Sequence, residues 1–253
     1  MCIRDRIYAN SNRAAEKISP PPQPPELGPL LPNQSPRDER IIVTLDKPRS
    51  GIGTAFAIDS KGHWITARHV VDSCNQVGLK VGDRKILRTE MDVSSDTDTA
   101  ILTSAWNRKP LANDLYSERK VGERGFFFGF PQGRPGEVVG ALLARNRMLV
   151  RGRYRSEEAV LAWSEVSRTK GIFGSLGGLS GAPVMDTDGE VIGVVSAESP
   201  RRGRIYTVTP ENLRTLITAR DIQPKALNLT TYGLEADKLR RDRRIAQVVC
   251  MVD

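Results

Sequence analysis

Along this 253-residue chain, the hydrophobic positions fall in short runs separated by turn residues. After a first run at Ile41–Val43, such runs occupy 53–58, 64–67, 99–103, 125–129, 145–151, 159–163, 182–185, 190–196 and 204–208. Short apolar and β-branched runs at this spacing are typical of an antiparallel barrel or sandwich. The pattern therefore predicts an all-β domain.

Two local elements have clear sequence signals. The apolar runs Ala182–Met185 and Glu190–Val195 flank Asp186–Gly189, whose Asp-Gly pair favours a tight turn, so we predict a hairpin. A helix is predicted after the last strand, with Thr209 as its N-cap and Pro210 at its first position. This helix is expected to close the domain.

The two ends of the chain differ from its middle. The segment Ser19–Pro36 holds eight prolines, which favour extended and solvated backbone, so residues 1–40 are predicted to be an extension or linker. The folded domain is predicted to span 41–220. Residues 221–253 are predicted to form a tail of mixed charge, in which 236–247 fits a solvated helix and a segment without fixed structure equally well.

Composition narrows the class of protein. Hydrophobic residues make up 39% and charged residues 27%, as in soluble globular domains. No segment reaches the roughly 18 apolar residues of a membrane helix, and no signal peptide is visible. The opening Met1–Arg6 resembles translated adapter sequence, which leaves the natural start open. A membrane contact is expected only through an anchor upstream of this sequence.

Cysteine, histidine and charge argue against several kinds of site. Cys2, Cys74 and Cys250 are odd in number and scattered, so we predict free thiols. With two histidines in the chain, no metal site and no cofactor are expected. The net charge of +8 is compatible with nucleic-acid binding, but the excess is not gathered in a tail, so nucleic acid is not the expected partner.

The candidate nucleophile is Ser180, which lies in the glycine-rich turn 177–183. A nucleophilic serine must be exposed while backbone N–H groups converge on the oxyanion, and glycines leave room for the substrate. The turn fits an ordinary glycine-rich hairpin as well. Because serine needs a base at neutral pH, a histidine partner is required.

The candidate base is His69, which follows the apolar run 64–67; a hydrogen-bonded structural histidine is the alternative. Arg68, beside it, is expected to point to solvent. A histidine that acts as a base needs a buried carboxylate beside it, and Asp98 at the head of a predicted strand fits that role. Asp96, two residues earlier, would share the same side of an extended strand and is the main rival; Asp92 is a weaker one. An ordinary acidic turn before a strand is the alternative, since such turns are common.

These segments together resemble the trypsin-like (chymotrypsin-fold) serine peptidases, especially the disulfide-poor bacterial branch that includes the periplasmic heat-shock proteases. Members carry Thr-Ala-x-His-Val, Asp-x-Ala-x-Leu and Gly-x-Ser-Gly-x-Pro in that order, and this chain has them at 66–70, 98–102 and 178–183. The Gly-x-Gly strand at 51–56 and the Gly-Phe-Pro turn at 129–131 agree as well.

The resemblance implies two packed antiparallel six-stranded β-barrels with a C-terminal helix. It implies a serine endopeptidase that acts on polypeptides through an acyl-enzyme, without cofactor or metal, in a periplasmic or secreted location. Ser180 would be the nucleophile, His69 the base and Asp98 its partner, and the N–H groups of Gly178 and Ser180 would form the oxyanion hole. The alternative left open is a catalytically silent domain of this fold that binds protein or nucleic acid.

The resemblance also implies where a substrate lies. Ser196, Ala197 and Glu198 would pair with its backbone. The base of the primary specificity pocket would fall near Gly174, which offers no charge, so Glu198 is the side chain expected to recognise Lys or Arg. Five arginines share the odd positions of one run and are predicted to form a solvated strand face: Arg145, Arg147, Arg151, Arg153 and Arg155.

Overall fold

The computed structural model describes residues 27–82, 85–217, 225–228 and 230–253. Within these ranges the elements are, in chain order, β1 (Arg40–Leu45), β2 (Gly51–Ala57), β3 (His63–Thr66), α1 (Arg68–Val71), β4 (Gln76–Lys80), β5 (Ile86–Val93), β6 (Ala100–Thr103), β7 (Arg124–Gly129), β8 (Gly136–Gly152), β9 (Ser156–Arg168), β10 (Pro183–Met185), β11 (Val191–Ser199), β12 (Arg204–Val208), α2 (Pro210–Leu213), α3 (Tyr232–Arg241) and β13 (Ile245–Met251).

The first barrel is closed by six antiparallel strands in the order β13-β2-β3-β6-β5-β4. Its interior holds a cluster of apolar side chains that includes Trp64, Leu79, Leu102 and Val248, each 0% exposed. Burial of such side chains is the main favourable term in folding, and closure removes the exposed edges of the sheet. The first barrel is therefore a closed unit with its own apolar core.

The second barrel has the strand order β8-β7-β10-β11-β12-β9 and closes through the pairing of β8 with β9. Phe127 and Trp163 meet edge to face in its core, with ring centroids 5.6 Å apart. The buried Trp163 Nε1–H donates to Thr207 Oγ1 over 3.0 Å, so the indole is not left without an acceptor. The predicted pair of six-stranded antiparallel barrels is confirmed.

Strand β1 is an addition to the two six-stranded barrels. It runs parallel to the end of β8, with Arg40 opposite Arg147 and Leu45 opposite Gly152. Ile41, Val43 and Leu45 pack on a small apolar cluster below it. The strand predicted at Ile41–Val43 is therefore present, but it lies outside both barrels.

The predicted helix after the last strand of the second barrel is present as the short helix α2 (Pro210–Leu213). Thr209 Oγ1 accepts a hydrogen bond from the Asn212 N–H over 3.4 Å, as expected of an N-cap, but α2 ends at Leu213. The longer helix of the structure is α3, which packs near β13 and β8.

The C-terminal residues supply part of the first barrel. Strand β13 lies between β2 and β4, and its residues Ile245, Ala246 and Gln247 are buried. The expectation of a solvated helix or a loose segment over 236–247 is therefore wrong for 245–247, which belong to this strand, whereas 236–241 lie in α3. The charged residues before β13 hid its short apolar run. The limits 1–40, 41–220 and 221–253 remain predictions.

The prediction of free thiols is wrong for two cysteines. Cys74 and Cys250 form a disulfide, with Cα atoms 5.6 Å apart and a sequence separation of 176. The bond joins the segment after α1 to β13, and both residues are buried. Scattered positions in the sequence concealed the pair because the barrel closure brings them together. Cys2 lies outside the described residues.

The predicted arginine face is right in part: Arg145, Arg147 and Arg151 share the less buried side of β8, but Arg153 and Arg155 lie beyond the strand. Strand β8 ends at Gly152, whose φ of +102° turns the chain, so the alternation does not continue to 155. Arg145 pairs with Glu211, and Arg147 pairs with Glu157. Arg153 turns inward and contacts Asp72. The five side chains therefore do not form one solvated face.

Part of the proline-rich segment lies against the second barrel. The N–H of Gly28 donates to Val121 O over 2.8 Å, and that of Leu31 donates to Arg119 O over 2.7 Å. Residues 28–31 are therefore held by backbone hydrogen bonds, although Pro29 and Leu30 are exposed, while 19–26 lie outside the described residues. In the described ranges, no helix has the length and apolar character needed to cross a membrane.

Candidate active site

A cavity of about 360 Å³ lies where the two barrels face each other. His69, Asp98 and Ser180 all line it, although they come from three distant segments. Its other lining residues come from four places, namely Ile42–Leu45 of β1, Met148 and Val150 of β8, Tyr154, and Ser196–Glu198 of β11. The three residues selected from the sequence are thus brought to one cleft.

The first barrel holds His69 and Asp98 in contact. His69 lies on α1, directly after β3, and Asp98 lies just before β6, which pairs with β3. His69 Nδ1–H donates to Asp98 Oδ2 over 2.8 Å, and the His69 backbone N–H donates to Asp98 Oδ1 over 2.9 Å. This leaves Nε2 as the ring nitrogen that can accept a proton.

The Asp98 carboxylate is 2% exposed and accepts two further hydrogen bonds. Tyr154 O–H donates to Oδ1 over 3.0 Å, and Ser196 O–H donates to Oδ2. Burial would raise the pKa of Asp98, but the charge of His69 and the hydrogen bonds from His69 and Ser196 outweigh it, so the pKa lies below its usual value. Asp98 is therefore held as a carboxylate.

The two rival aspartates lack this environment. Asp96 is exposed, accepts from Ser95 O–H, and donates its N–H to Ser94 Oγ. Asp92 is exposed on β5. Neither lines the cleft, so the geometry selects Asp98 over both.

Ser180 stands in a turn whose glycines are required by sterics. Gly181 has a φ of +85°, and a Cβ there would lie 2.1 Å from Thr54 O. Gly178 has a φ of +97°, and a Cβ there would lie 2.5 Å from Phe130 O. L-residues with side chains rarely adopt such φ values, so both positions need glycine. The described contacts include no hydrogen bond between Ser180 and His69, a bond that is commonly long without substrate.

The N–H groups predicted to form the oxyanion hole are free of competing backbone acceptors. In the described turn, Leu179 N–H donates to Leu176 O and Gly181 N–H donates to Val195 O, whereas Gly178 and Ser180 have no backbone acceptor. Backbone N–H groups without an acceptor, one on the candidate nucleophile and one two residues before it, can stabilise developing negative charge.

Thr54, on β2, fixes this turn from the other barrel and was not assigned a role from the sequence. Its backbone N–H donates to Ser180 O over 2.8 Å, and its O–H donates to Gly178 O over 2.8 Å. The side chain is 0% exposed. The signal in the sequence was a threonine that follows Gly51 and Gly53 within an apolar run. A polar side chain on a buried strand needs a hydrogen-bond partner.

The predicted substrate residues lie on the cleft side of β11. Ser196 is turned toward Asp98, so its hydroxyl supports the carboxylate. Ala197 contributes to the apolar cluster under β1. Glu198 accepts hydrogen bonds from Ser175 O–H and, over 2.9 Å, from Leu176 N–H. Its carboxylate therefore lies against the loop that precedes the nucleophile, one residue from Gly174.

Three more residues at the site were not foreseen. Glu158 Oε1 accepts the backbone N–H of Asp98 over 2.6 Å. Arg153 Nη2–H donates to His69 O over 2.6 Å. Arg68 was expected in solvent, but its guanidinium packs 3.8 Å from the Tyr154 ring centroid and donates to Ser94 O. These contacts join residues from both barrels, which sequence spacing does not reveal.

Away from the cleft, three acidic side chains of the described chain come close enough to hold a metal ion. Oxygens of Asp114, Asp186 and Glu190 lie within 4.8 Å of one another. Arg119 contacts the carboxylates of both Asp114 and Asp186, so a guanidinium already balances their charge. The arrangement is that of a structural ion-pair cluster.

Curated relatives are similar in sequence to part of this chain. A probable periplasmic serine endoprotease, DegP-like, of Halomonas elongata is 30% identical over 158 residues, which cover 61% of this chain and 31% of the relative. Its counterpart in Pseudomonas putida strain GB-1 is 29% identical over 174 residues, which cover 67% of this chain and 33% of the relative. The chain thus spans about a third of the length of these relatives.

Solved structures share the fold. The Rv3671c protease from M. tuberculosis in its active form matches with a TM-score of 0.53 at 17% identity, over 78% of this chain and 99% of that one. The HtrA-type protease AlgW with a decapeptide matches with a TM-score of 0.51 at 17% identity, over 65% of this chain and 50% of that one. The family model for a trypsin-like peptidase domain matches residues 53–194. This chain belongs to the family of trypsin-like peptidase domains.

Proposed function

We propose that this chain is a serine endopeptidase that hydrolyses peptide bonds through an acyl-enzyme. The observation that carries the proposal is the convergence of Ser180, His69 and Asp98 on one cleft, with Asp98 buried and bonded to the base. This is the arrangement that converts a weak serine hydroxyl into a nucleophile. Family membership supports the same reaction.

In this reaction Ser180 Oγ attacks the carbonyl carbon of the substrate while His69 Nε2 takes the hydroxyl proton. Asp98 holds the ring and stabilises the imidazolium that forms. The N–H groups of Gly178 and Ser180 donate to the developing oxyanion. His69 then gives the proton to the leaving amine, and water attacks the ester to regenerate Ser180.

A polypeptide substrate would lie along β11. Because β11 pairs with β12 at Ala197 and Glu198, its other edge faces the cleft and can pair with an extended peptide. Backbone pairing of this kind binds many sequences alike. Selection would come from side chains, and Glu198 places a carboxylate beside the loop at Gly174. The Arg168 guanidinium donates to Gly174 O and lies close enough to interact with this carboxylate, but the hydrogen bonds of Glu198 come from neutral donors. We propose that Glu198 favours Lys or Arg in the primary pocket.

We further propose that the domain works in an extracytoplasmic compartment, periplasmic or secreted. The buried Cys74–Cys250 disulfide supports this location because such bonds persist in oxidising compartments and are rare in the cytosol. The relatives from Halomonas elongata and Pseudomonas putida are named as periplasmic.

A fluorophosphonate probe tests the proposed activity because it reacts only with an activated serine. We expect the folded chain to be labelled, Ser180→Ala to lose labelling completely, and the exposed Ser60→Ala to label like the parent. Cleavage of unfolded casein should follow the same order. Absence of labelling in folded parent protein would refute the proposal and leave a catalytically silent binding domain.

A further inference from the structure

The β8–β9 hairpin extends beyond the barrel to which it belongs. Its strands are 17 and 13 residues long, compared with six for β7 and five for β12. The extended part carries the segment 153–155 toward His69 and Asp98 of the first barrel. We call residues 147–158 the hairpin arm. The hairpin arm can influence His69 and Asp98 only if its side chains contact these two residues.

Tyr154 makes the most direct of these contacts. Its O–H donates to Asp98 Oδ1 over 3.0 Å, on the carboxylate oxygen that does not receive the His69 ring proton. The Arg68 guanidinium packs on the ring at 3.8 Å from its centroid, which fixes the ring plane. Burial and the nearby Asp98 charge raise the pKa of Tyr154 well above its usual value, so the phenol remains a donor.

Two other arm residues hold the backbone of the same pair. Arg153 Nη2–H donates to His69 O over 2.6 Å, while its Nε lies 3.1 Å from Asp72 Oδ2. Glu158 Oε1 accepts the Asp98 N–H over 2.6 Å. The arm therefore contacts His69 by its carbonyl and Asp98 by both its amide and its carboxylate.

Strand β1 braces the arm from its outer edge. Six residues of β1 pair with six of β8, from Arg40 opposite Arg147 to Leu45 opposite Gly152. This parallel pairing, together with the apolar contacts of Ile41 and Val43, covers an edge that would otherwise be exposed. The brace lies upstream of residue 53, where the family match begins.

We propose that Tyr154 is a positioning residue for the catalytic aspartate, and that the hairpin arm fixes Asp98 and His69 relative to each other. The inference rests on the proposed peptidase function. The titratable groups that face Asp98 are His69 on α1, Tyr154 at the arm tip and Glu158 on β9, with Arg68 and Asp72 on the far side of Tyr154. Removal of the Tyr154 hydroxyl therefore changes the electric field at the His69–Asp98 pair.

The test is Tyr154→Phe in the full chain, with Tyr232→Phe as control. Tyr232 is also buried, but it lies on α3 against Phe126, outside the cleft. We expect Tyr154→Phe to lower kcat for peptide hydrolysis by about 10- to 100-fold, the effect of losing one hydrogen bond to a charged group. Tyr232→Phe should retain parental kcat. Melting temperatures should show that both variants are folded at the assay temperature.

The pH profile of the reaction distinguishes a positioning role of Tyr154 from a general loosening of the site. The Tyr154 hydroxyl directs the positive end of its dipole at Asp98 and so opposes the imidazolium; without it, the acid limb of the kcat/KM profile should move to higher pH. The low-field proton resonance of His69 Nδ1–H should shift as well. Parental kcat in Tyr154→Phe, or a lower kcat with an unmoved acid limb, would overturn the proposal.

If Tyr154→Phe does not fold, the variant Arg153→Lys tests the role of the hairpin arm instead. This variant keeps the charge but cannot make the forked contact to His69 O and Asp72, so a reduced kcat supports the arm and parental kcat refutes it. Fluorophosphonate labelling distinguishes failure of this inference from failure of the proposed function. An unlabelled parent chain refutes the function itself, whereas a labelled parent with fully active arm variants refutes only the role of the arm.

Discussion

Asp98 and Glu158 come from different barrels and are joined by a hydrogen bond of 2.6 Å from the Asp98 N–H to Glu158 Oε1. Their exposed fractions are 2% and 6%. Burial and the charge of Asp98 raise the pKa of Glu158 to about 8, whereas the pKa of Asp98 lies below its usual value. At neutral pH the pair therefore carries one charge, on Asp98, and Glu158 holds a proton.

This pair predicts how stability depends on pH. Unfolded Glu158 ionises near its ordinary pKa of 4.5, but the folded group holds its proton up to about pH 8. Between these values the folded state binds more protons, so the free energy of unfolding falls as pH rises, by at most about 1.4 kcal/mol per pH unit from this group. In Glu158→Gln this contribution is absent. Urea unfolding of both proteins from pH 5 to 8.5 measures the difference, and parallel curves would contradict the prediction.

The choice between the two aspartates can be tested directly. Asp98→Asn is expected to lower kcat by about 10⁴-fold, the loss found when a triad aspartate can no longer fix the histidine tautomer. Asp96→Asn is the matched control, because this exposed carboxylate lies outside the cleft. It should leave kcat unchanged. If the two variants lose activity equally, the assignment of Asp98 fails.

Glu198 predicts selectivity at the primary pocket. Glu198→Gln keeps an oxygen that can accept from Ser175 and Leu176 but removes the negative charge. We expect kcat/KM for substrates with Lys or Arg before the cleaved bond to fall by about tenfold, which corresponds to a loss of about 1.4 kcal/mol of transition-state stabilisation. Substrates with Val or Leu there should be little affected. A peptide library cleaved identically by both proteins would exclude this role.

The disulfide should stabilise the first barrel. Cys74 and Cys250 close a loop with a sequence separation of 176, and loss of such a link costs about 2 to 5 kcal/mol. Cys250→Ser should therefore unfold at lower urea, as should the reduced parent. The control is Cys2→Ser under the same conditions. Alkylation of native protein that modifies Cys74 and Cys250 without prior reduction would show that the bond does not form.

Much of the fold follows from local sequence. Strands such as β2, β3 and β12 are apolar runs between turn residues, and the β10–β11 hairpin follows from Asp186–Gly189. Strand β5 was missed because its polar and apolar residues are mixed and mostly exposed. Strand β13 was missed because charged residues precede its short apolar run, and its partners, β2 and β4, lie far away in the sequence.

For the site, the sequence by itself determined the chemical groups. It selected a serine in a turn that only glycines can form, a histidine behind an apolar strand and an aspartate before another. These are local requirements of backbone and residue type, so they can be read without tertiary contacts.

Only the tertiary structure decided which groups act on one another. It separated Asp98 from Asp96 by burial and hydrogen bonding, turned Ser196 toward Asp98, and paired Cys74 with Cys250. It also brought Tyr154, Arg153 and Glu158 across from the second barrel. Such contacts join segments far apart in sequence. They depend on the packing of two closed barrels, which no local pattern encodes.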